Sequence, residues 1–148
     1  MKHPIHPLLV HFPVATWVIA TFCDIASFFR TDELMSQVAG VLLVIGVVTA
    51  LLAMVAGLME LAKIDQQSPA MKVANQHMLL MMVSWSLYAV SLFMRLEGTQ
   101  LVQPGLVAII LSIAGLFVLC VAGWFGGRLV YEYGVGSYAS HYSDSDHS

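Results

Sequence analysis

Charge is scarce in this chain: 10% of its 148 residues are Asp, Glu, Lys or Arg, against 59% hydrophobic ones. Soluble domains carry about a quarter charged and about half apolar residues, so a water-bathed globule is excluded. With a mean hydropathy of +0.82, the chain belongs in a bilayer. The formal charge of -3 is spread over short polar stretches with no basic run and no acidic block, which excludes nucleic acid as a partner. Cysteine is rarer still. Cys23 and Cys120 stand alone, with no Cys-x-x-Cys for zinc and no Cys-x-x-Cys-His for covalent haem attachment. Helical rise places Cys23 toward the far end of its span and Cys120 toward the histidine end of its own, so no disulfide is expected between them. The first residues lack the apolar core and small-residue cleavage pattern of a signal peptide, and the first span is expected to be retained.

What is present is four long apolar runs. They extend from about Pro7 to Phe29, Val38 to Leu61, Met71 to Met94 and Val102 to Leu129, each long enough for the roughly 20 residues that cross a membrane. Short polar links separate them, which makes neighbours antiparallel and predicts an all-α, up-down-up-down four-helix membrane bundle over residues 1–136. Residues 137–148 have no apolar period and read as a mobile tail or a segment that docks on a partner. Lys2, Lys63, Lys72 and Arg128 fall at one end of the bundle and Arg30 and Arg95 at the other, a bias that places both termini in the cytoplasm.

Small residues recur at close-packing intervals on the second span (Gly46, Ala50, Ala53, Gly57) and the fourth (Ser112, Gly115, Gly123, Gly127). These stripes predict that spans two and four approach each other. On span three, His77, Met81, Ser84, Tyr88, Ser91 and Arg95 follow at three- and four-residue steps. That polar face should line the interior. Asp24 lies near the far interface, where Arg30 and Arg95 can neutralise it in a structural ion pair; the alternative is a proton relay.

Histidines supply the candidate chemistry. His3, His6 and His11 open span one and His77 opens span three. Prolines after His3 and His6 predict an extended lead-in, and Pro13 predicts a kink that aims His11 at the bundle axis. Spans one and three run parallel on a diagonal, so His11 and His77 enter at matching depth, as bis-histidine ligation of a b-type haem requires. Trp124, Gly126 and Gly127 fall at that level, while Glu60, Arg128, Tyr131 or the outer histidines can meet propionates or orient the ligands. A rival reading uses His11 and His77, with His3, His6 or Glu60, to hold zinc, copper or non-haem iron. The bland alternative makes the same histidines interfacial groups bonded to free carbonyls.

The motif from His3 to Pro13, His77, and the segment from Gly123 to Gly136 together resemble a family of bacterial four-helix membrane proteins known as domain of unknown function 2231. The likeness covers nearly the whole chain apart from the tail, and the motif histidines correspond to His3, His6, His11 and His77. Where relatives often carry a histidine before Gly-Val-Gly, this chain has Tyr133. The resemblance implies a bacterial inner membrane and a redox setting, because relatives are fused to or associated with cytochrome c or Rieske modules.

Three functions follow as expectations. The first is a haem-binding electron-transfer protein or respiratory subunit rather than a stand-alone catalyst. A cofactor-free structural or assembly subunit is the second. A small metal or proton transporter ranks last, since few polar groups continue across the bilayer.

Overall fold

In a computed structural model, residues 5–30 and 32–135 are described, with side chains from Leu9 onward. Four helices account for most of them: α1 (Ile5–Arg30), α2 (Glu33–Leu61), α3 (Pro69–Phe93) and α4 (Leu106–Tyr131). All four are long and apolar enough to cross a membrane. The shortest, α3 with 25 residues, spans about 37 Å at 1.5 Å per residue, more than the roughly 30 Å of hydrocarbon. The all-α membrane bundle expected from hydropathy is the fold observed.

The helix boundaries differ from the apolar runs for local reasons. α1 begins at Ile5, so His6 is helical rather than extended; Pro7 then falls in the first turn, where backbone N–H groups have no intrahelical acceptor to lose. α2 begins at Glu33, five residues before the run, because Asp32 caps it by accepting from Leu34 N at 3.0 Å and Met35 N at 3.3 Å. α4 begins at Leu106, four residues late. The chain before it forms a two-stranded antiparallel hairpin, β1 (Leu96–Glu97) and β2 (Gln100–Leu101), which the sequence reading did not anticipate. Gly98 turns it at a φ of 64°, a left-handed conformation suited to glycine.

α1 packs chiefly on α2 and α3 chiefly on α4, with lighter contact between α2 and α3 and between α1 and α4. The bundle is therefore two hairpins, with α1 and α3 on a diagonal. Trp17, Leu43 and Tyr88 fill its centre with no exposed surface. The indole and phenol rings stack at 4.6 Å, inclined by 15°. Outward faces carry Phe22, Phe28, Phe93 and Phe117, suited to lipid.

The small-residue stripes do not bring α2 to α4. A Cβ at Gly46 would collide with the Trp17 indole of α1, and one at Gly115 would lie 3.0 Å from the Tyr88 ring of α3. Each stripe thus makes room for a large aromatic ring from its own hairpin partner. Gly123 meets nothing within 4 Å and faces outward.

Candidate functional site

The polar face of α3 is buried as its periodicity predicts: Ser84, Tyr88, Ser91 and Arg95 have no exposed surface. Arg95 follows the end of α3, yet its guanidinium turns inward. Nη1 donates to Asp24 Oδ1 at 2.7 Å and Nη2 to Asp24 Oδ2 at 2.9 Å, a two-pronged pair with both side chains wholly buried. Nη2 also reaches Ser91 Oγ at 3.0 Å, and Nε donates to the Ser91 carbonyl at 3.3 Å. Ser91 Oγ donates to the Ala108 carbonyl at 2.7 Å. Ser112 Oγ lies 2.8 Å from Ser91 Oγ and 3.2 Å from Asp24 Oδ2. Three helices meet in this network, and α1 is joined through it to the α3–α4 hairpin.

One turn deeper, Thr21 Oγ1 donates to the Trp17 carbonyl at 2.9 Å and lies 3.0 Å from Tyr88 Oη. With its only proton committed, Thr21 accepts from Tyr88. Every buried polar group of this stack is satisfied except Trp17 Nε1, the one buried side-chain nitrogen or oxygen without a partner among the described residues. Asp24 therefore stands in the ion pair expected of it. Ser112, read from sequence only as a packing residue, is also one of its polar partners.

The histidine end is built differently. His77 is half-buried, with Nδ1 2.8 Å from the Ala122 carbonyl of α4. A Cβ at Gly126 would come within 3.1 Å of the imidazole Cε1, so this glycine admits the His77 ring rather than a porphyrin edge. His11 does not face the axis: it is exposed on α1. Although α1 passes through Pro13 without ending, the expected inward aim of His11 is not realised. Trp124 is 73% exposed and also points away from the interior. Glu60 is half-buried. Arg128 is held by Glu132, with Nη2 2.8 Å from Oε2 and Nε 2.9 Å from Oε1. That bond holds the Glu132 carboxyl below the usual carboxylate range. His3 and the side chain of His6 lie outside the described residues, as does the segment 137–148.

The fit to a cofactor is therefore divided. A backbone carbonyl held by one imidazole nitrogen orients the ring, the usual arrangement behind metal-bound histidine, and the His77 Nδ1 contact with Ala122 supplies it. His11 and His77 do not face each other across the axis as a centred haem would need. Among the described residues no three His, Cys, Asp or Glu side chains gather closely enough for a bare metal ion.

Four apolar spans, lipid-facing aromatics and a buried charge network define an integral membrane helical bundle. The chain belongs to the family described as predicted membrane protein (DUF2231), whose model matches residues 2–139. No curated protein and no solved structure matches it.

Proposed function

We propose that the protein is a non-catalytic, b-type haem-binding subunit of a redox assembly in a bacterial inner membrane, with both termini in the cytoplasm. The observation that supports this reading is the 2.8 Å bond from His77 Nδ1 to the Ala122 carbonyl, which orients the ring as the imidazole of a histidine ligand is oriented. His77 would hold the iron from α3, with a histidine of the N-terminal motif, His3, His6 or His11, as the second ligand. Haem, when bound, contributes reversible one-electron chemistry. The chain's own part is to hold His77 against α4 and to present Glu60 and the Arg128–Glu132 pair near the same end. A cytochrome c or Rieske protein is the redox partner this reading suggests.

The test is an absorption spectrum of protein purified after haem-supplemented expression, before and after dithionite. A Soret band with a reduced α-band that His77→Ala abolishes or converts supports the proposal. His11→Ala decides whether His11 is the second ligand. His141→Ala and His147→Ala should leave the spectrum unchanged.

A second reading is favoured by the outward placement of His11 and Trp124 and by the filled centre. In it the bundle is a cofactor-free assembly subunit. Folded protein without a Soret band selects this reading over the first.

A further inference from the structure

α3 is the least apolar and the least buried of the four spans. Its outward face near the histidine end carries Lys72, Asn75 and Gln76, all exposed. None of these side chains has a hydrogen-bond or ion-pair partner among the described residues. They border an open depression of about 470 Å³ that Gln66, Ser68, Met71 and Leu79 also line. The face then continues through Met82 and Val83, 53% and 41% exposed, as an apolar track toward the bilayer centre.

Depth makes these groups costly if they stay bare. Asn75 and Gln76 lie six and seven residues beyond Pro69, about 9 and 10 Å along an axis of about 37 Å. A centred 30 Å hydrocarbon layer leaves only about 3 to 4 Å of helix outside at each end. The two carboxamides thus reach below the headgroup boundary on a surface that meets lipid, where polar groups without partners are disfavoured. A cation and two amide donors complement an oxyanion that can be drawn down to them. Asp65, the nearest acid in sequence, is engaged in its own loop, accepting from the Gln67 backbone N–H at 3.0 Å.

We propose that this face of α3 binds the phosphate of an anionic phospholipid, whose acyl chain lies along Leu79, Met82 and Val83. Lys72 provides the charge and the Asn75 and Gln76 amides donate to the phosphate oxygens. The site is independent of any haem, and each residue is exposed, so its replacement leaves the packed interior alone.

The experiment uses the full chain in dodecyl maltoside and measures lipid retention by native mass spectrometry, together with the rise in unfolding temperature on adding lipid. Phosphatidylglycerol should bind about five-fold more tightly than phosphatidylcholine, as about 1 kcal/mol per basic residue near the surface implies. Lys72→Ala should remove that preference, and Asn75→Leu with Gln76→Leu should weaken retention of both lipids. Inorganic phosphate should produce no shift, separating a lipid headgroup from a free anion; a shift that matches the lipid's would overturn the lipid assignment. Equal binding of the two lipids by the unmodified protein, or a preference that survives all three substitutions, overturns the proposal. So does conversion of a dimer to a monomer by the same substitutions in lipid-free detergent, which would make this face a contact between copies.

Discussion

The two ends of the bundle solve the problem of polar groups in lipid in opposite ways. At one, Asp24 and Arg95 are wholly buried and satisfy each other with two serines, across three helices. At the other, Arg128 and Glu132 pair along one exposed turn of a single helix, and His11 and Lys72 are exposed. The first arrangement specifies how the hairpins dock. The second leaves chemistry at the surface, where a cofactor, a lipid or a partner can reach it. Buried and exposed polar groups thus fall at different ends of the same four helices.

The sharpest way to break this comparison is to unpair the buried charges. Asp24→Asn or Arg95→Gln should each cost about 3–5 kcal/mol, because the remaining charged or polar partner stays buried without its complement. Replacing both by leucine should recover most of that loss, since a buried pair contributes little over apolar packing. Unfolding of the full chain in detergent checks both statements. Single substitutions costing under about 1 kcal/mol would show that the pair is not what joins the hairpins.

A smaller effect separates two glycines of one helix. Gly115→Leu should destabilise by about 1–3 kcal/mol by forcing the Tyr88 ring aside, whereas Gly123→Leu, facing open space, should leave unfolding unchanged. An equal loss at both positions would make α4 packed along its whole length and erase the distinction between the ends.

At the histidine end, His77→Ala should cost about 0.5–1.5 kcal/mol for the lost bond to Ala122, less than any change at the buried pair. Thermal unfolding of apo-protein measures this separately from the spectrum. The smallest effect concerns Glu132. Its carboxyl is held below its ordinary value by the bond to Arg128, so its contribution is present above the unfolded-state pKa and is lost as pH falls through the lower folded value. Its place at the exposed surface keeps that contribution slight. Titrating the Glu132 carboxyl by NMR with and without Arg128→Gln should show its midpoint move up in the variant.

The fold was legible because lipid imposes a coarse, continuous signal: twenty apolar residues, a short polar link, and another twenty. The buried face of α3 was legible too, since Ser84, Tyr88, Ser91 and Arg95 share a helical period that only an interior could satisfy. Periodicity could not say what each small residue admits. Gly46 and Gly115 accept Trp17 and Tyr88, and that pairing is fixed by the docking of helices rather than by spacing within one. His11 was misplaced because its aim was inferred from a kink at Pro13, a local cue that does not determine which side of α1 meets the other helices. Lys72, Asn75 and Gln76 share three- and four-residue steps, but in sequence their polarity is indistinguishable from an ordinary wetted helix end; only their exposure together on one face of α3 sets them apart.

The β1–β2 hairpin sets the axial position of α4. Leu101 sits over Gly40 of α2, close enough that a Cβ there would lie 3.0 Å from Leu101 Cδ1, and Val102 N donates to the Arg95 carbonyl at 2.9 Å. The hairpin therefore ties the chain just before α4 to both α2 and the end of α3. Deleting one residue between Gly98 and Leu101 would put a different side chain over Gly40. If α4 followed as a rigid rod, it would slide about 1.5 Å and turn about 100°, carrying the Ala122 carbonyl away from His77 roughly 24 Å along the axis. The length of an exposed turn at one end of the bundle would then govern the alignment of an imidazole at the other.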